Sequence, residues 1–163
     1  TIHCKKRVDK IENLMKQFKV RNRDNAFYVK VIVYDSLFKM RKAADKHNLK
    51  ARLLPNNKDV YGVSHHYIRE KINENKSVIR LPDCGVIRFS RKHLSTEVVA
   101  HEVIHAAMWI YRLKYGSERE WEGSIENADF GNNCTEEEEK FAHIYGQMFR
   151  NMTRKLYKYN LWN

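Results

Sequence analysis

A chain of 163 residues is long enough to close one hydrophobic core and short for two. Hydrophobic residues at 42 % and aromatics at 12 % exclude a disordered chain, and the apolar runs fall far short of a membrane span. A formal charge of +11 attracts polyanions without specificity.

The elements follow in chain order. Val8, Ile11, Leu14, Met15 and Phe18 recur at helical spacing and predict an amphipathic helix over residues 8–18. Phe27 to Tyr34 is β-branched and aromatic and reads as a strand. A helix is expected from Asp35 to about His47, then strands over Tyr61 to Ile68 and Ser77 to Leu81. Pro82-Asp83-Cys84-Gly85 reads as a turn, followed by a short strand over Val86 to Ser90. Two long helices close the chain, about Ser95 to Tyr115 and about Thr135 to Tyr157. With only 2 Pro and 6 Gly, no linker or low-complexity stretch divides the sequence, so residues 1–163 are expected to form a single α+β domain. Cys4, Cys84 and Cys134 form neither a disulfide framework nor a C-x-x-C pair, which suits structural thiols in a cytoplasmic setting. Thr1 to Arg7 has no apolar stretch of the kind a signal peptide carries.

The chemistry concentrates on the first long helix, in His101-Glu102-Val103-Ile104-His105. Histidines at i and i+4 stand about 40° apart around a helix, so both imidazoles can reach one ion. Glu102, about 100° from His101, can sit beside a water on that metal without being a ligand. The pattern is that of a catalytic zinc site in which the carboxylate takes a proton from water whose pKa the metal lowers to about 7. The flanking residues are apolar on nearly every side, so the helix is expected to be buried. Two histidines and a glutamate buried there would be costly without a metal.

A catalytic zinc usually takes three protein ligands. A third histidine in H-E-x-x-H-x-x-G-x-x-H is excluded, because Met108 and Tyr111 hold the last two marked positions. The choices downstream are Glu118, Glu120, Glu122, Glu126, Asp129, Glu136 to Glu139, and His143. Thr135 and Glu138 match a capping box, which is a sufficient structural role for Glu138. Glu139 is then the first acid inside the last helix. Ala142 and Gly146 border it, a small strip expected to let the two long helices approach closely. The apolar stripe of that helix is Phe141, Ile144, Tyr145, Met148, Phe149 and Met152, and Glu138 lies nearer its middle than Glu139, so both remain candidates.

With these two motifs the chain resembles the gluzincin branch of the zincin metallopeptidases, in which a glutamate on a later helix is the third ligand. Glu139, Ala142, His143, Tyr145 and Gly146 fit the register around that glutamate. The compact size looks most like the ImmA/IrrE-type metallopeptidases and related phage-encoded zincins. The resemblance covers roughly residues 85–150, and nothing recognisable covers residues 1–80. It implies a zincin-like fold in which a small mixed sheet carries the metal helix and a glutamate-bearing helix follows. It also implies one zinc ion on His101, His105 and Glu139, with Glu102 as the general base. Where the family often has Asn or Asp, this chain has His143, a supporting group or a competing ligand. The metal helix is also similar to that of SprT-like proteases, which act on DNA-associated proteins, although their H-G-x-x-F segment is absent here.

The expected activity is hydrolysis of peptide bonds in a protein or peptide substrate. Val86 to Ser90 is expected to be the edge strand that pairs with the substrate. Tyr111, Tyr115 and His143 are candidates for stabilising the oxyanion. A non-catalytic module with a closed zinc site would need Glu139 and one more ligand. His65 and His66 lie in a strand and point to opposite faces, so at most one can face a site. His3, His47 and His93, among charged residues, are expected at the surface. Basic residues cluster at Lys5 to Arg7, Arg21 to Arg23, Lys39 to Lys50 and Arg150 to Lys158. They suit either a solvated surface or non-specific nucleic-acid affinity, and no nucleic-acid fold motif accompanies them.

Overall fold

The computed structural model describes residues 16–23, 26–50, 60–116 and 136–162. In chain order these form β1 (Lys16–Arg21), β2 (Tyr28–Tyr34), α1 (Leu37–Lys50), β3 (Gly62–His66), β4 (Glu70–Ile72), β5 (Val78–Arg80), β6 (Asp83–Ser90), a 3₁₀ turn (Arg91–His93), α2 (Thr96–Tyr115) and α3 (Glu136–Lys158). The fold is α+β. A four-stranded mixed sheet has the order β1-β2-β6-β3, with β2 and β6 parallel and the outer pairs antiparallel. β4 and β5 make a separate, exposed two-stranded ribbon.

Alternation on the strands decides which face is covered. Phe18, Val20, Val29, Val31, Val33, Ile87 and Phe89 join one core with Val99, Val103, Ala106, Ala107 and Ile110 of α2 and Ile144, Met148, Met152 and Leu156 of α3. Each large apolar side chain so buried contributes about 1.5–3 kcal/mol. α1 packs against β2 and β6 and buries Met40 and Ala44. Among the described residues no helix is long and apolar enough to cross a membrane.

Three expectations change. Phe18 ends no helix; it lies in β1, where Phe18 and Val20 are buried and Gln17, Lys19 and Arg21 are exposed, a period of two rather than 3.6. The remainder of that expected helix, residues 8–15, lies outside the described residues. The stretch Pro82 to Gly85 is no turn, because β6 already begins at Asp83. Asp83 is anchored there by Lys30 at 2.5 Å, Arg69 at 3.0 Å and the Tyr67 hydroxyl at 2.9 Å. The register shifts between Tyr28 and Val29, and an added Cβ at Gly85 would lie 2.9 Å from the His65 carbonyl oxygen. The glycine serves this close approach of two strands. Finally, β6 is not an edge strand: it pairs on both sides, and all of its residues are buried. The edge that lies against α2 is β3.

Cys84, on β6, is a free, buried thiol that burial pushes up to about 12, with the nearby Asp83 adding to the effect. It is a packing group and not a nucleophile.

Candidate metal centre on helix α2

Helix α2 begins at a cap the sequence announces. Ser95 is extended, and its hydroxyl accepts the Val98 amide at 3.1 Å. Such a cap contributes about 1 kcal/mol. Gly116, with φ of 95°, ends the helix in a conformation that favours glycine.

One turn of regular helix brings His101 and His105 together as their spacing requires. Their Nε2 atoms are 3.2 Å apart, with the rings nearly perpendicular at 79°. Tetrahedral zinc with Zn–N bonds of about 2.0–2.1 Å separates two nitrogen ligands by about 3.3–3.4 Å, so the pair has the bite of a metal chelate. Both histidines are exposed, and so is Ile104 between them. This corrects the expectation of a buried pair: α2 is apolar around much of its girth, but only the side carrying Val99, Val103, Ala106, Ala107 and Ile110 faces the core. The open position suits a site that a substrate must reach.

Glu102 behaves differently. It is 6 % exposed and tucked beneath β3. The Ser64 hydroxyl donates to Glu102 Oε2 at 2.6 Å and lies 3.2 Å from the Glu102 carbonyl oxygen. Gly62, two residues earlier on the same face of β3, leaves room for the carboxylate stem: an added Cβ would be 2.8 Å from Glu102 Cγ and 3.1 Å from Val98 Cγ1. His66, the third residue of that face, stacks on Trp109 of α2 with centroids 5.9 Å apart. Burial, then the charge of His105, push its imidazole down to about 4, so it stays neutral near pH 7. Its Nε2 and the Trp109 Nε1 are buried with no hydrogen-bond partner among the described residues. Ser64 and Gly62 escaped the sequence reading. The available signal was alternation: Gly62, Ser64 and His66 place a hydrogen atom, a hydroxyl and an imidazole on a helix-facing strand face where apolar residues are usual.

His65 points the other way, as the strand demands. Its Nε2 is 2.7 Å from Asn48 Oδ1, Arg88 Nη1 is 3.0 Å from its Nδ1, and its ring lies 4.2 Å from that of His47. His47 is therefore not a plain surface group. His93 is half-buried, stacked on Tyr61 and 3.1 Å from the Ser90 hydroxyl.

The donors expected on α3 do not join the histidine pair. Among the described residues no three His, Cys, Asp or Glu side chains converge closely enough to hold a metal. Glu138, Glu139 and His143 are exposed, and the Gln147 Nε2 lies 2.6 Å from His143 Nε2. Ala142 and Gly146 are exposed too, and an added Cβ at Gly146 meets nothing within 4 Å. The small strip is therefore not where the helices meet; Tyr111 against Phe141 and the stripe of Ile144 and Met148 serve that contact. Tyr111 is buried against Phe141 and Tyr115, a packing role. Thr135 and the acidic candidates Glu118, Glu120, Glu122, Glu126 and Asp129 lie outside the described residues.

His101 and His105 thus fit two ligand positions of a zinc ion by distance and donor chemistry. Comparisons with protein-family models, curated proteins and solved structures found no match to this chain.

Proposed function

We propose that this chain is a zinc-dependent metallopeptidase of the gluzincin kind. His101 and His105 would hold one zinc ion and Glu102 would be the general base; the gluzincin resemblance gives Glu139 as the third ligand, which would have to approach the pair from its exposed place on α3. The observation that carries the reading is the Nε2 pair at chelating distance, one residue from a carboxylate that a second element holds in place. Bound zinc would supply Lewis acidity, polarising a scissile carbonyl and lowering the pKa of water toward neutrality.

The chain's own residues supply the rest. Glu102 takes the proton from the attacking water and returns it to the leaving amine. Ser64 fixes one carboxylate oxygen of Glu102 by its hydroxyl. β3, an edge strand of the four-stranded sheet among the described residues, would offer backbone groups to which an extended peptide can add as a further strand. That role passes to β3 from β6, which has no free edge.

The test is hydrolysis of an unstructured protein such as casein by zinc-loaded enzyme, with a chelator and zinc add-back. The proposal requires activity that the chelator abolishes and zinc restores. Cleavage by Glu102→Gln at the wild-type rate would refute it.

A further inference from the structure

The two edges of the four-stranded sheet have different neighbours. β3 lies over Glu102; β1, at the opposite edge, is overlaid by the second half of α3. There the Asn151 amide donates to the Arg21 carbonyl at 2.8 Å, the Lys155 ammonium donates to the Lys19 carbonyl, and the Arg23 amide donates to Gln147 Oε1 at 2.9 Å. Side chains of α3 therefore take up the Lys19 and Arg21 carbonyls of β1, which blunts the edge as a template for another strand.

What this arrangement leaves facing solvent is cationic. A hollow of about 430 Å³ is lined by Lys19, Arg21, Arg23, Arg154 and Lys155 with Asn151, and it adjoins a second one to which Arg150 contributes. Among the described residues none of these six cations has a carboxylate partner. The crowding is felt: burial, then Arg21 and Lys158, push the Lys155 ammonium below its ordinary value. Among the described residues no aromatic or aliphatic side chain lines either hollow; the nearby Tyr28 and Phe18 rings are covered by the Lys19 and Lys155 ammonium groups at 4.4 and 5.9 Å.

We infer that this groove is a binding site for the sugar–phosphate backbone of a nucleic-acid duplex. The cations form two short rows. Arg150 and Arg154 are one four-residue step apart, about 6 Å along α3, and Lys158 continues that line beyond the hollows. Lys19 and Arg21 are two residues apart, about 7 Å along β1. A regular array of this kind matches a linear polyanion of regular charge spacing, and arginine forks match phosphate oxygens. With the Tyr28 and Phe18 rings capped by Lys19 and Lys155, no ring among the described lining residues offers the stacking platform that single-strand binders use. The lack of apolar side chains removes what a membrane-surface site inserts into lipid. Recognition is then of backbone charge and not of sequence. The groove stands apart from the histidine pair and does not depend on the peptidase proposal.

The test is fluorescence anisotropy of a labelled DNA duplex across a salt series. Wild type should bind, with unrelated duplexes competing equally. Arg21→Gln/Arg150→Gln/Arg154→Gln alters exposed residues only. It should bind at least about ten-fold more weakly, and its log K against log salt slope should shrink by about 2.7. Lys42→Gln/Lys46→Gln/Lys71→Gln removes the same charge elsewhere and should stay within about two-fold of wild type. His101→Ala/His105→Ala should bind as wild type does. Equal losses in the two triple variants would overturn the inference in favour of diffuse surface charge. So would no binding by folded wild type at low salt, or binding to phosphatidylserine vesicles but not to duplex.

Discussion

The Ser64 hydroxyl sits 2.6 Å from Glu102 Oε2 and ties an edge strand to the carboxylate of the H-E-x-x-H helix. The contact joins residues 38 positions apart and orients a buried acid. Ser64→Ala should keep the metal and lower kcat by about 10–100-fold with little change in KM, the size of effect expected when a supporting partner of a metal site is lost. Ser64→Thr, which restores a hydroxyl, should recover most of the rate. Steady-state kinetics decide it; a change in KM alone would assign Ser64 to substrate binding.

Gly62 supports the same carboxylate by having no side chain. In Gly62→Ala the new methyl would press on Glu102 Cγ at 2.8 Å, with Val98 and Phe89 close behind. Overpacking of this kind costs about 1–3 kcal/mol. The unfolding free energy from urea titration should fall by that amount, lowering the midpoint, and activity should fall further than stability does. An unchanged midpoint together with unchanged activity would show that the strand shifts freely and that the close approach has no consequence.

His65 makes the fold sensitive to acid. Arg88 only donates hydrogen bonds, so His65 Nδ1 must accept and its Nε2–H must donate to Asn48. The imidazole is thereby held neutral, and burial, with the charges of His47 and Arg88, pushes it down to about 4. A histidine whose folded pKa is depressed contributes stability above its unfolded pKa, about 6.5, and loses that contribution as pH falls toward its folded value. Denaturation midpoints should therefore drop between about pH 6.5 and 4, by an amount worth up to about 3 kcal/mol. His65→Gln should flatten that slope relative to wild type. The same slope in both would mean that other groups carry the acid sensitivity.

The third ligand separates by substitution on α3. Glu139→Ala should weaken zinc affinity strongly. Glu138→Ala should cost about 0.5–2 kcal/mol of stability with metal retained, as for part of a helix cap. His143→Ala should lie between, on the order of 10–100-fold in affinity or activity. Zinc titrations of the three variants decide it. Loss of metal only in His143→Ala would replace the gluzincin site with a three-histidine one, and loss only in Glu138→Ala would move the register by one.

The elements that carry the site were legible because they are governed by local rules. The i, i+4 histidines, the β-branched strand at Tyr28 to Tyr34 and the stripe of Ile144, Met148 and Met152 follow from periodicity. What was hidden depends on contacts distant in sequence. β6 reads as an edge only until β2 and β3 are seen to flank it, and Ser64 gains a purpose only when α2 lies against β3. The clusters Arg21 to Arg23 and Arg150 to Lys158 are separate in the chain, yet α3 lays one beside the other. Phe18 matched a helical spacing because one residue can satisfy both periods over a short window.

The most direct test of the central claim is the zinc content of purified, folded protein after zinc reconstitution and removal of excess metal. The account predicts about one zinc per chain in wild type and in Glu102→Gln, and none retained by His101→Ala/His105→Ala. Folded wild-type protein that holds no zinc, or a double variant that holds as much as wild type, would contradict it.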